Sequence, residues 1–352
     1  MPTTIKNINK LPVRTWRRLG VNGETLTIDF PEPGRFDTPK TVLPQGVTRA
    51  HESVLVCAEF TSALNSELAA FTRVHANTGV QIRVKKGVKA AEPIVARYAL
   101  GADSPTLTDN NVIFAEAHSE VTLVMIYDGD GTFHSGITRV IAENCAVVRV
   151  AQINTLGANT QHFSDFSAVI ANGARVELSR IELGGKSVYA GCHMKLEGDK
   201  AECGTDTFYF GDGDRKLDFN YVAKHLGKSS RSDMNASGAL FGYCEKTYRG
   251  TIDFVAGASE AKGAEAENTL LFSENSRNRS APLILCGEEN VEGSHAASVG
   301  RIDANKLYYL QSRGLSEAEA KRLMVSALME TAMKNIPEEE RERLRGLLGE
   351  RI

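Results

Sequence analysis

The sequence has no Cys-x-x-Cys pair, a single tryptophan, and no apolar run long enough to span a bilayer. Each lack removes a class of protein. The six cysteines (Cys57, Cys145, Cys192, Cys203, Cys244, Cys286) are scattered and the eight histidines equally so, which leaves no zinc spacing and no disulfide framework to read. Any metal site must be assembled from distant parts of the chain. The first twenty residues are polar and basic, with Arg14, Arg17 and Arg18, and lack the apolar segment of a secretory signal, so a cytoplasmic location without membrane attachment is expected. A net charge of -3 over 352 residues offers no general attraction to nucleic acid, and none is expected as a partner.

What is present is a long stretch of short strands. From about Gly79 to Phe272, Val, Ile, Leu and Thr alternate with polar residues and are broken by Gly, Asn and Asp. Three stretches share one pattern, an apolar pair, an alanine, a polar turn and a Val-x-Leu/Val. They are Ile113-Phe114-Ala115 with Val121-x-Leu123, Val140-Ile141-Ala142 with Val148-x-Val150, and Val169-Ile170-Ala171 with Val176-x-Leu178. A fainter copy runs from Met194 to Cys203, with Gly198 in the alanine place. A period of this length suits a β-solenoid, being short for a propeller blade and lacking helical periodicity. An irregular antiparallel sandwich is the competing reading.

The ends differ from the middle. Ala58, Phe60, Leu64, Leu68 and Phe71 suit a short helix or capping segment over the first coil, between about Ser53 and His75. At the other end, Ser316 and Glu319 form a capping box, and Ala320, Leu323, Met324, Ala327, Leu328 and Ala332 mark an apolar stripe. Pro337 opens a second helix whose face carries Leu344, Leu347, Leu348 and Ile352. The charges from Glu338 to Arg345 are expected to be solvated. The resulting expectation is a mainly β chain: residues 1–78 an N-terminal segment with a mixed or helical cap, 79–302 a β-helix core, and 303–352 a C-terminal helical domain.

The stretch Pro282–Gly314 resembles the C-terminal core signature of the SufB/SufD family of the SUF iron–sulfur cluster assembly system. Ser294-His295-Ala296-Ala297-Ser298-Val299-Gly300 matches that family's SHGATVG motif with small substitutions, and Arg301-Ile302-Asp303, Tyr308-Tyr309-Leu310 and Ser312-Arg313-Gly314 follow in register. The similarity extends upstream through His225-x-x-x-Ser229-x-x-Ser232, Tyr248-Arg249-Gly250 and Asn268-x-Leu270-Leu271-Phe272-Ser273, and weakly to Leu11-Pro12 with Trp16.

The resemblance implies a right-handed parallel β-helix and a non-catalytic scaffold that pairs through the end of its helix and binds a SufC-type ABC ATPase through its C-terminal helices. The chain has no Gly-x-x-x-x-Gly-Lys-Ser/Thr cradle, so the nucleotide belongs to the ATPase. Arg313, Gly314, Leu323 and Leu328 are the residues expected at that contact. The other partner is a SufB-like subunit or, in a reduced two-component system, a second copy of this chain.

His295 takes the place of the family's interface histidine and is the favoured ligand for a transient iron or iron–sulfur cluster at the dimer interface. Its competitor is a histidine that hydrogen-bonds within the end coils. Cys286 could present a thiolate, but a buried strand cysteine is the preferred reading. SufB-like chains place an essential cysteine where Ala266-Glu267-Asn268 stands here, and a glutamate where Ala296 stands; both departures point to SufD. Glu267 could still offer oxygen to iron. A β-solenoid carbohydrate-active enzyme remains as a rival, disfavoured by 7% aromatic residues, and so does a purely structural cap.

Overall fold

The computed structural model describes residues 2–15, 17–32, 34–50 and 59–352. Trp16, Cys57 and Ala58, used above, lie outside the described residues. The chain begins with β1 (Thr3–Ile8), β2 (Glu24–Ile28), β3 (Val47–Arg49), α1 (Ser66–Val74) and β4 (Gln81–Val84). It continues with β5 (Ile94–Leu100), β6 (Thr106–Ala115), β7 (Glu120–Gly129), β8 (Phe133–Ala142), β9 (Val147–Leu156), β10 (Gln161–Ile170), β11 (Arg175–Glu182) and β12 (Ser187–Leu196). Next are β13 (Glu202–Gly211), β14 (Lys216–His225), β15 (Arg231–Leu240), β16 (Glu245–Phe254), β17 (Lys262–Leu271), β18 (Arg277–Cys286) and β19 (Glu292–Arg301). Helices α2 (Ala304–Ser312), α3 (Glu317–Glu330) and α4 (Glu338–Gly349) end the chain.

From β4 onward, even-numbered strands form one parallel sheet and odd-numbered strands a second, facing sheet. Each coil contributes one strand to each, giving a parallel β-solenoid of about eight turns. Like residues stack because the pairing is parallel and in register: Val121, Val148, Val176 and Cys203 form one interior column. The interior column on the opposite sheet runs Ala115, Ala142, Ile170, Leu196. The third repeat read from sequence is therefore one residue out in its first half, since Ile170 and not Ala171 holds the alanine place. In the fourth copy that place belongs to Leu196, and Gly198 lies in the turn beyond.

A second column fixes the turns. His118, Cys145, Gly173, Lys200, Ser229 and Glu260 all have positive φ, and each donates its N–H to a carbonyl of the following coil, at Asn144, Asn172, Asp199, Lys228, Ser259 and Asn290 respectively. A left-handed conformation costs a non-glycine residue roughly 1–2 kcal/mol. The intercoil hydrogen bond made in return, in a turn whose neighbours are already ordered, offsets part of that cost.

The N-terminal segment caps the solenoid differently from the sequence reading. β3 pairs antiparallel with β4 and covers that edge of the first coil, with Phe36 and Val47 entering the main core. α1 forms as expected, capped by Asn65, but it lies on the flank of β6 and β8 and not over the end. Leu64 and Leu68 pack there with Phe133, Phe163 and Tyr189, and with Ile5, Ile8 and Ile28 of the antiparallel β1–β2 hairpin. Gly191 admits this strap, because a Cβ on it would stand 2.3 Å from the Leu64 nitrogen.

Helices α3 and α4 cover the outer face of the odd-numbered sheet. The capping box of Ser316 and Glu319 is present. The buried face, however, carries Val325, Met329, Ala332, Met333 and Ile336, packed on Val124, Ile126, Ile153, Ile181 and Phe208, while Leu323 is 52% exposed. Leu344 and Leu348 complete the cover as the sequence suggests. The charges of α4 are less solvated than expected: Glu340 is buried and pairs with Arg97 of β5 and with Arg343. Arg351 binds Asp212 at 2.6 Å.

One buried pair ties the N-terminal strap to the sixth and seventh coils. Arg249 Nη1 stands 2.6 Å from Asp218 Oδ1, both side chains fully buried, and Arg249 Nε donates to the Val21 carbonyl while Asn9 Nδ2 donates to Asp218. Asp218→Ala strands the guanidinium, so we expect a loss of about 3–5 kcal/mol in urea unfolding. Limited proteolysis should then cut first within residues 2–32.

Candidate functional site

The last coil is left open. Among the described residues β18 pairs with β16 alone and β19 with β17 alone, so each presents a free edge of backbone N–H and C=O groups. Every residue of β19 from Glu292 to Val299 is exposed. An uncovered ten-residue parallel edge invites another chain.

His295 lies on β19 directly in register with Glu265 of β17, and Ala297 with Glu267. On β17, Glu265, Glu267 and Thr269 are buried and alternate with Ala266 and Asn268, which face out. His295 and Ala297 continue the inward columns, so the imidazole stands at the mouth of the solenoid's interior. Its side chain makes no hydrogen bond or ion pair among the described residues.

One coil below is a polar floor. Lys246, fully buried on β16, pairs with Glu267 and lies 5.1 and 5.3 Å from the Tyr209 and Tyr248 ring centres. Thr269 Oγ1 donates to Glu267 Oε1 at 3.2 Å and is itself bonded to Tyr209 Oη at 2.6 Å. Burial pushes the Glu265 carboxyl up to about 7 against the pull of Lys246, and burial likewise lowers Lys246. Glu267 is thus engaged inside the column, sealed from solvent.

Cys286 ends β18, above Phe254 of β16. The expectation of a buried strand cysteine fails here, because no coil follows to cover it: the thiol is exposed, with Sγ 3.4 Å from the Glu288 carbonyl. Phe254 in turn lies against Gly293, two residues before His295, so Cys286 and His295 share one rim. His225 is held within the core by Ser230 and Ser232, both at 2.8 Å, with Ser229 serving the turn column instead. Among the described residues no three His, Cys, Asp or Glu side chains converge as a metal site within the chain. A mouth that offers one imidazole and one thiol needs donors from elsewhere to hold iron.

Of the residues named for partner contact, Arg313 is exposed with its guanidinium 5.3 Å from the Tyr309 ring centre, and Gly314 ends α2 with φ 96°. Leu323 is exposed, whereas Leu328 packs against this chain's own sheet and its carbonyl accepts from Ser237. Lys246 and Glu265 escaped the sequence reading. The signal for Glu265 was the alternation along Gly263-Ala264-Glu265-Ala266-Glu267-Asn268-Thr269, which puts two acids on the face that Leu271 marks as inward, whereas Lys246 lies on β16, outside that stretch.

Residues 98–328 match the model of the SUF system FeS cluster assembly SufBD core domain. The chain belongs to the SufBD core family. It is SufD-like: it is 28% identical to the iron–sulfur cluster assembly protein SufD of Bacillus subtilis over 274 residues, 76% of this chain and 63% of that protein. A SufBD family protein of Mycobacterium leprae is 26% identical over 73% of this chain and 30% of its own length. One of Staphylococcus epidermidis is 23% identical over 80% and 62%. The SufBD chain described here therefore spans less than two thirds of these relatives.

Differential burial makes the thiols distinguishable. Brief alkylation of the native protein, read by mass spectrometry, should modify Cys286 and Cys145 and leave Cys192, Cys203 and Cys244 unmodified until denaturant is added.

Proposed function

We propose that this SufD-like chain is a cytoplasmic, non-catalytic scaffold that pairs through its open last coil and presents His295 to an iron or iron–sulfur cluster carried as cargo at that interface. The carrying observation is the uncapped β18–β19 end with an unpartnered imidazole at its mouth. Pairing would satisfy the free edges by strand addition, and would bring a second set of donors to a rim that lacks them. The partner on this reading is a SufB-like subunit. The exposed Cys286 favours a second arrangement, a homodimer in which His295 and Cys286 of two copies face one another across a two-fold axis.

Anaerobic reconstitution with the partners, followed by iron and sulfide analysis, tests the site. His295→Ala should fold and pair normally, since its side chain makes no hydrogen bond or ion pair among the described residues, while bound iron and sulfide fall by about tenfold or more. Equal loading would remove His295 from the site.

We assign docking of a SufC-type ATPase to the exposed side of the terminal helices. α2 has no buried residue, and Tyr308, Tyr309 and Leu323 are each more than half exposed. Truncation at Gly314 would also strip the cover from the sheet, so a surface substitution is the cleaner probe. Leu323→Glu should change stability by about 0.5 kcal/mol or less and abolish co-purification with the ATPase. Retained binding would move the docking site elsewhere.

A further inference from the structure

Far from the open end, the interior of the second to fourth coils holds an array of ionisable side chains that the assembly role does not use. Asp109 on β6, His134 on β8, His162 on β10 and Glu182 on β11 are all at most 2% exposed. His134 Nε2 is 2.6 Å from Asp109 Oδ1, and His134 Nδ1 is 2.6 Å from His162 Nδ1. His162 Nε2 stands 3.9 Å from Glu182 Oε1. Tyr127 Oη and Asn111 donate to the other oxygen of Asp109, and Tyr98 Oη donates to Asn111. At the far end Asn154 donates to Glu182, and the Arg180 guanidinium lies 3.7 Å from it. Arg215, bonded to four backbone carbonyls, adds a second fixed positive charge near His162.

The contact between two Nδ1 atoms requires one hydrogen between them. A hydrogen bond of that length needs a hydrogen on one nitrogen and a lone pair on the other. Asp109 accepts from Asn111, Tyr127 and His134, so His134 carries a hydrogen on Nε2, and as a neutral ring it leaves Nδ1 bare. His162 must then be the Nδ1–H tautomer, and its bare Nε2 is the place where a second proton would enter. That atom is buried, 3.9 Å from Glu182 Oε1, with the charges of Arg180 and Arg215 acting on the ring.

We propose that Asp109, His134, His162 and Glu182 form a single-proton lock that joins the second to fourth coils at neutral pH and weakens them in mild acid. Burial first, with the neighbouring charges of Arg180 and Arg215 adding to it, holds His162 well below the ordinary histidine value. The folded array resists the second proton, while the opened chain takes it up at about pH 6.5. Stability from His162 is therefore complete above that pH and declines below it, by up to about tenfold in the opening equilibrium per pH unit. Glu182 acts in the opposite sense, because burial raises its carboxyl and lets the folded state accept a proton first.

Hydrogen exchange of the full chain, corrected for intrinsic rates, reads this directly. Protection of β6, β8 and β10 amides should fall about tenfold or more between about pH 7 and about pH 5 in the wild type. In His162→Gln, whose amide keeps a donor and an acceptor without titrating, it should be nearly flat. His118→Gln, an exposed turn position, should behave as the wild type. An unchanged wild type, or an equal loss in His162→Gln, overturns the proposal. Should that variant not fold, imidazole nitrogen NMR of the wild type decides: the Nε2–H tautomer at His134 and Nδ1–H at His162 near pH 7 is expected, and any other pairing refutes it. Stoichiometric metal that disappears with His162→Gln would mean that a metal joins the rings, and would also refute it.

Discussion

A stacked coil satisfies its backbone only through its neighbours, and the organisation of the molecule follows from that. Within the column every strand has a partner on both sides, so the charge and shape of individual residues matter less than their register. At the ends the requirement is unmet and has to be answered. At the first coil β3 covers the edge of β4 while β5 stays at a sheet edge; among the described residues nothing pairs with the outer edges of the last coil. The flanks face a separate demand, since outward residues on both sheets are apolar and need cover. The N-terminal strap supplies it on one side and α3 with α4 on the other.

The solenoid was legible because Val121, Val148 and Val176 repeat at nearly constant spacing, and parallel pairing converts constant spacing into a column. The turn column was not legible. Its members are His, Cys, Gly, Lys, Ser and Glu, held by a shared backbone conformation that leaves no common side chain to detect. The cap was misplaced for a related reason: α1 has a helical pattern and drew attention, whereas β3 is three residues long and gains its role from pairing. On α3 two apolar stripes overlap, one through Leu323 and one through Val325 and Met329, and only the position of the sheet selects between them. The motif that carries His295 lies on β19, in the last coil. The exposure of Cys286 could not be read from a strand pattern, since it depends on no further coil being stacked above it.

The interior is unusually rich in charge for a column of this kind. Arg180, Lys246, Glu267, Asp109 and two histidines all lie inside it with almost no contact with water. Such groups contribute little net stability compared with a well-packed apolar replacement, and their removal singly is costly. Their effect is on uniqueness. An all-valine column could slip by one coil with small penalty, but a lysine that must meet Glu267 and a histidine that must meet Asp109 have one acceptable register.

The strap held by Arg249 has a consequence for the order in which the molecule takes shape. Val21 and Arg249 are 228 residues apart in sequence, yet their contact buries both. During synthesis residues 2–32 meet their apolar flank once the fifth coil has been made, but Val21 has no Arg249 to bind until the seventh. The contact that pins Val21 therefore has to wait for strand β16, so this segment is fastened long after its own residues are made.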